Sequence, residues 1–418
     1  MRCLALLALA ACESTTGTVR VELATAPGST VMDAVETLRL SLTDPPETEE
    51  AQRGSDGTFD VSLSFPAEGQ ITAILVEGLD ASGALVATGA SPPFSLGPTN
   101  ARVVIYVAAP LSIAPAPVAL GPAREGVSAV ALPYGALFAG GRDAAGAASD
   151  AIAIYNVYDH TIAGGLAMPI KRSEVTLAAS TSGLVYVLGG KGEAGTEVAT
   201  LLAFNTTVAP SGVWINLGEQ PSFARAGEHA VAIGPDRFLV SGAPPGELAG
   251  GELAPRTDIA SLPAAGASVI STDGARTALF AGASSLIRFR DDRFETLAGS
   301  GAAVAGVATT GKLVVIGTGT DAALVDAASG GIEPHPGVLS AARTAPAVAA
   351  TDRYVVVAGG GTADILDART LARLSTVAVA PRTGARAIAL PNGQVLIAGG
   401  APATDLIELF TPPPPSAE

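Results

Sequence analysis

Arg382-Thr-Gly-Ala-Arg386-Ala-Ile-Ala-Leu390-Pro-Asn-Gly-Gln394-Val-Leu-Ile-Ala-Gly-Gly400 is the stretch that decides the fold. Ala385 to Leu390 predicts one strand and Gln394 to Ala398 a second, with Pro391-Asn392-Gly393 turning the chain between them. Asn-Gly is a strong hairpin signal because both residues tolerate positive φ. The terminal Gly-Gly stops the second strand.

The same block recurs upstream. Its second strand reappears as Ala136 to Gly141, Leu184 to Gly190, Arg237 to Gly242, Ala278 to Gly282, Lys312 to Gly317 and Tyr354 to Gly360. Each copy follows an Ala/Val-rich strand such as Ala347 to Ala350. Each precedes a third strand such as Ala151 to Tyr155, Ala199 to Phe204 or Asp405 to Phe410. Repeats spaced about 35 to 53 residues apart mean a propeller or a solenoid, and the alternating β pattern selects a propeller of four-stranded blades. Val213 to Leu217 and Arg293 to Leu297 read as outer fourth strands. The last copy runs from its third strand straight into Pro412 to Pro415, so its fourth strand has to come from elsewhere. Ala116 to Leu120 precedes the first copy without a blade of its own and is expected to close the ring, removing an exposed edge.

This repeat resembles the kelch family. Gly-Gly ends the second strand in four copies, Tyr155 and Phe204 close third strands, and Trp214 stands where kelch repeats place a tryptophan. The other copies lack that tryptophan, and the third to fifth lose a glycine. No Trp-Asp pair occurs, which disfavours WD repeats. The resemblance implies a seven-bladed kelch-like β-propeller over residues 111–412, followed by a Pro-rich tail at 413–418.

Upstream, residues 18–110 alternate apolar and polar positions with period two. Thr18 to Ala24, Glu36 to Thr43, Phe59 to Phe65, Gln70 to Glu77, Leu85 to Gly89 and Val103 to Ala108 are separated by turn clusters such as Asp80-Ala-Ser-Gly83. Short strands at this spacing predict an antiparallel, immunoglobulin-like β-sandwich, although no Cys…Trp…Cys spacing is present. The whole chain is therefore expected to be all-β. The sandwich reads as a spacer, with a binding role as the alternative.

At the N-terminus, Arg2 precedes an apolar run that ends in Leu9-Ala10-Ala11-Cys12. The layout is that of a secretory signal peptide. The last four residues resemble the bacterial lipobox, which implies removal of residues 1–11 and lipid attachment at Cys12. Residues 12–17 would be a tether. Each buried CH₂ contributes about 0.8 kcal/mol, so several acyl chains on one cysteine hold firmly. Glu13 departs from the Asp that resembles an inner-membrane retention signal, which favours the outer membrane.

Composition narrows the function. Net charge is −15, which argues against nucleic acid and anionic lipid headgroups. Aromatic residues make up 4%, few for sugar stacking. The two cysteines, Cys3 and Cys12, both lie within the N-terminal segment. No disulfide framework or cysteine-ligated metal follows, and no cysteine remains for the crosslink of galactose-oxidase-like kelch enzymes. His160, His229 and His335 fall at different registers and read as scattered surface residues rather than a metal or nucleophile site. No metal or cofactor is expected, and no catalysis.

One feature shares a register. Arg124, Arg172, Arg225, Arg343 and Arg382 each stand 16 or 17 positions before the repeat's glycines. Five guanidiniums around a channel mouth could hold a carboxylate or phosphate. The alternative is that each binds backbone carbonyls or a carboxylate where blades meet. The expectation is a non-catalytic, envelope-anchored lipoprotein whose propeller binds or scaffolds another envelope protein. A glycan-binding module is the second reading and a divergent propeller hydrolase the third.

Overall fold

Strands account for nearly all regular structure among the residues that the computed structural model describes, with only two short 3-10 turns there, Val31–Ala34 and Pro221–Phe223. It describes residues 16–55, 59, 63–66, 69–95, 101–164, 166–208, 211–271, 274–282, 285–297, 299 and 303–415. Cys12, the segment 1–11 and the tether up to residue 15 lie outside the described residues, as do residues 416–418.

From Ser112 onward the strands form seven four-stranded antiparallel sheets, numbered one to seven here by their first strands. Those first strands are Ser128–Leu132, Thr176–Ala179, Ala230–Gly234, Ala265–Ile270, Ala303–Thr309, Ala347–Ala350 and Arg386–Ala389. Each contacts the first strand of the next sheet, and the seventh contacts the first, so the sheets stand in a ring. Small side chains suit this crowded centre. Second and third strands are buried almost throughout, as in Val395–Ala398 and Ile407–Thr411, because neighbouring sheets cover both of their faces. They therefore read as continuous apolar runs rather than alternating ones.

An apolar cluster fills each gap between sheets. Phe204, Val187 and Leu137 pack between sheets one and two, and Phe410, Val356 and Ile397 between six and seven. Burying side chains of this size contributes about 1.5–3 kcal/mol each, distributed around the ring.

The strand that completes sheet seven is Ser112–Pro115, not Ala116–Leu120. It pairs antiparallel with Ile407–Thr411, from Ser112 opposite Thr411 to Pro115 opposite Glu408. The expected segment extends the contact more loosely: the Ala116 and Leu120 amides donate to the Ile407 and Asp405 carbonyls at 2.8 and 2.7 Å. The chain bends at Pro115 and Pro117, which cannot donate to a ladder, so the regular pairing ends there.

The deciding hairpin also departs from the two-residue form. Arg386–Ala389 and Val395–Ala398 pair, and Leu390 and Gln394 close a loop of Pro391, Asn392 and Gly393. Gly393 alone takes positive φ, at 79°. The Asn392 side chain instead braces the loop, accepting from the Gln394 amide and donating to the Ala90 carbonyl.

Residues 16–108 form two principal sheets around one core of Leu38, Leu40, Val76, Val103 and Ile105. One sheet orders Thr48–Gln52, Thr37–Leu42, Ile74–Leu79 and Leu85–Ala90; the other orders Leu63–Pro66, Thr16–Ala24 and Ala101–Tyr106. The arrangement is not wholly antiparallel, since Thr16–Ala24 pairs parallel with Ala101–Tyr106. A chain whose first and last strands run the same way along one sheet must pair them in this sense.

This N-terminal unit is docked on the ring. The Val104 amide donates to the Tyr158 carbonyl at 3.0 Å, and the Tyr158 hydroxyl donates to the Pro93 carbonyl at 2.8 Å. His160, 2% exposed, clips the same joint. Its Nε2 accepts from the Tyr106 amide at 3.1 Å, which leaves Nδ1 to carry the proton toward the Tyr155 hydroxyl. Burial lowers its pKa to about 4, so the ring is neutral as this geometry requires. His160 is thus a joint residue, not the surface residue expected.

Candidate functional site: the ring axis and its mouth

The five register-matched arginines occupy equivalent places, and their guanidiniums turn inward. Arg172 is fully buried, and its Nη1 donates to the Gly189 and Thr200 carbonyls at 2.9 and 3.1 Å. Arg124 does the same to Gly140 and Ala151 at 2.8 and 2.7 Å. Arg225 reaches Ser241 and Ser222, Arg343 reaches Gly359 and Thr362, and Arg382 reaches Leu406 and Ile397. In four of the five the fork joins the end of a second strand to the start of the third; Arg225 instead ties the end of its second strand to Ser222 in the turn before its own sheet.

Two of them also hold a buried carboxylate. Arg343 pairs with Asp364 at 2.7 Å and Arg382 with Glu408 at 2.5 Å. Burial opposes the charge on Asp364, but bonds from Arg343, Thr376 and Ser340 outweigh it and hold the carboxyl below its usual range. Burial lowers the pKa of Arg124 and Arg172 to about 10, and lowers that of Arg382 against the pull of Glu408; a guanidinium stays charged at neutral pH.

The backbones of these arginines face the other way. The Arg172 carbonyl accepts from the Gly141 amide of sheet one at 3.1 Å, and the Arg225 carbonyl from Gly190 of sheet two at 2.7 Å. Arg382 accepts likewise from Gly360 of sheet six. Each of these residues is a latch, with its main chain on one sheet and its side chain in the next. In sheets one and two the first glycine of the pair permits this contact. A Cβ on Gly189 would stand 2.0 Å from the Arg225 carbonyl oxygen, and one on Gly140 would stand 2.3 Å from that of Arg172. Glycine also supplies the positive φ of 61° and 65° at those positions. The nitrogens not so engaged, such as Nη2 of Arg124 and of Arg172, are themselves buried, so these guanidiniums are closed to a ligand from solvent.

The accessible features lie on the axis. Two exposed residues that register alone did not single out stand at the heads of innermost strands: Arg386, four positions after Arg382, and His229, four after Arg225. Aligning the repeats at that fourth position gives Ser128, Thr176, His229, Ala347 and Arg386, and the two basic residues stand out from it. His229 therefore stands immediately before an innermost strand of the ring, rather than in an outer loop. His335 stays near the outside, 3.4 Å from Glu333.

At the other end of the innermost strands a cavity of about 820 Å³ opens between ring and N-terminal unit. Its walls are Thr88 to Ala90 of the N-terminal unit, Ser268 to Ser271, Ala308 to Gly311, Ala350 to Tyr354 and Ala389 to Gln394. Thr411 to Pro415 complete it, so the proline run lies along the wall. Most of the lining is apolar, Tyr354 is its one aromatic residue, and Ile270 stands half exposed. Such a space suits an apolar segment with a few polar anchors.

Among the described residues, no group of three or more His, Cys, Asp or Glu is placed to hold a metal ion. No helix among them is long and apolar enough to cross a membrane.

No protein-family model and no curated protein matches the sequence. Solved structures do. The chain is similar to the WD40 β-propeller domain of Doa1, with a TM-score of 0.51 and 12% identity over 72% of this chain and 97% of that one. It is similar to streptogramin B lyase with a TM-score of 0.50, again at 12% identity over 72% and 97%. At this identity the likeness is one of fold, and the fold is a β-propeller. A Trp-Asp pair is not needed to make it.

Proposed function

We propose that the chain is a non-catalytic binding and scaffolding platform of the cell envelope. In this reading Cys12 carries the lipid anchor, with the outer membrane as its site. An immunoglobulin-like sandwich bears a seven-bladed, kelch-like propeller, and the partner is another envelope protein. The observation that carries it is the cavity shared by the N-terminal unit and sheets four to seven. Two parts of the chain build one apolar recess, and the His160 and Asn392 contacts hold them in fixed relation. A wall of alanine, threonine, glycine and proline around a single tyrosine suits an extended protein segment better than a sugar, which needs aromatic platforms. The fold does not set the partner; the recess does.

A photo-crosslinking residue at Ile270 in intact cells tests the reading. One envelope protein captured near stoichiometrically is the expected result. Retained polysaccharide with no protein would overturn it in favour of glycan binding. For the anchor, Cys12→Ala should move the protein from the membrane fraction to the soluble one; an unchanged membrane fraction would remove Cys12 from that role.

A further inference from the structure

The seven innermost strands read Ser-Ala-Val-Ala-Leu, Thr-Leu-Ala-Ala, Ala-Val-Ala-Ile-Gly, Ala-Gly-Ala-Ser-Val-Ile, Ala-Val-Ala-Gly-Val-Ala-Thr, Ala-Val-Ala-Ala and Arg-Ala-Ile-Ala. One charged side chain occurs in that wall, Arg386. It is exposed to solvent, yet burial lowers its proton affinity, a combination that a narrow channel through protein produces.

Its bonding differs from that of the five latch arginines. Arg386 Nε donates to the Val127 carbonyl at 3.1 Å, and among the described residues Nη1 and Nη2 have no partner. Among the described residues, no carboxylate pairs with it. Glu228, next to His229 in the chain, is engaged by the Ser241 hydroxyl. A guanidinium cannot shed its proton at neutral pH, so the exposed, unpaired fork of Arg386 keeps a full positive charge open to an anion beside walls of alanine and valine. His229 is close enough for the Arg386 charge, after burial, to lower its pKa. The imidazole is thus held uncharged at neutral pH.

We propose that the ring channel is an anion site, in which the free Nη1 and Nη2 of Arg386, with His229 alongside, hold the carboxylate of an aliphatic acid whose body lies along the alanine- and valine-rich wall. A carboxylate matches the planar fork, and a single negative charge balances the single cation. A phosphate dianion would leave charge uncompensated in apolar surroundings. The acid is either a free small molecule or the C-terminal carboxylate of a protein chain; both present the same group. The site lies at the end of the innermost strands away from the 820 Å³ cavity, so it stands independently of the proposed partner surface.

Calorimetric titration and thermal melting of the full chain at pH 7 test it with butyrate, inorganic phosphate and the tripeptide Ala-Ala-Val bearing a free or amidated C-terminus. Butyrate should bind and raise the melting temperature, with at least tenfold weaker binding in Arg386→Met and a smaller loss in His229→Ala. Arg386→Met should melt no lower than the ligand-free parent, because it removes an unpaired charge. Tighter binding of the free-acid peptide than of butyrate would assign the site to chain ends, and the reverse to small acids. Equal binding of the amidated peptide, phosphate preferred over butyrate, unchanged affinity in Arg386→Met or no carboxylate bound at 50 mM (about fifty times a 1 mM Kd) would each overturn the proposal. So would a melting temperature far below the parent's in Arg386→Met, which would make the guanidinium a strap to Val127.

Discussion

Sheets six and seven, beside sheets four and five, show two ways of holding one geometry. In the first pair a buried arginine spans each sheet and meets a buried carboxylate, Asp364 or Glu408. Sheets four and five have no such residue at that register, although Arg288 of sheet four reaches the Ala327 and Ala328 carbonyls of sheet five from its outer side. At the entry to sheet four Leu262 takes the place, exchanging backbone hydrogen bonds with Gly242 at 3.0 Å in both directions. Between sheets four and five that bond is absent: the Gly282 amide turns back to Ser285 in its own sheet. Longer first strands compensate, six and seven residues against four in sheets six and seven. They come close enough that a Cβ on Gly306 would lie 3.4 Å from the Ala265 backbone. A polar latch fixes short strands. Where it is missing, small residues let the strands lengthen, and their extra length builds the cavity wall.

Mutations can break this comparison. The largest effect belongs to Arg382→Ala, which strands Glu408 in the interior; denaturant unfolding should show a loss of about 3–5 kcal/mol. Equal loss from truncating an exposed arginine such as Arg373 would refute the latch.

Next come the glycines. Gly189→Ala forces a methyl against the Arg225 carbonyl, adding about 1–3 kcal/mol of overpacking to the left-handed strain of about 1–2 kcal/mol. Gly360→Ala meets no atom within 4 Å and should cost the strain alone. The difference between their melting curves isolates the latch contact.

The joint at His160 responds to acid instead. Its folded pKa, about 4, lies below the ordinary 6.5, so the unfolded chain takes up the proton first as pH falls. Stability is full above pH 6.5, declines toward pH 4 and then levels, with a total of at most about 3 kcal/mol. Substituting His160 with Gln should flatten that slope; an unchanged slope would place the titration elsewhere.

The smallest effect sharpens the contrast. Leu262→Met, a volume-conserving change at an apolar latch, should cost less than about 1.5 kcal/mol.

Much of the ring was legible because repetition and glycine are local signals. The Gly-Gly stops, the three-strand order within each copy and the need for a borrowed strand could all be read along the chain. The borrowed strand was misplaced by four residues because Ser112 to Pro115 carries no alternation to mark it. The arginine register was also legible, but whether a guanidinium points at solvent or at two carbonyls depends on the adjoining sheet. His160 looked like any loop histidine; its role depends on Tyr106, more than fifty residues away. Arg386 sat in the deciding stretch from the outset. Its isolation appears only when all seven innermost strands are placed side by side.

Closing the ring with Ser112–Pro115 has a consequence in time. Its partner Ile407–Thr411 is made roughly 300 residues later, a delay of about 15–60 s at ordinary rates of synthesis. Until then the clasp presents an unpaired strand edge, with Pro115 withholding one donor from it. It is the first strand of the ring to leave the ribosome and the last to be satisfied.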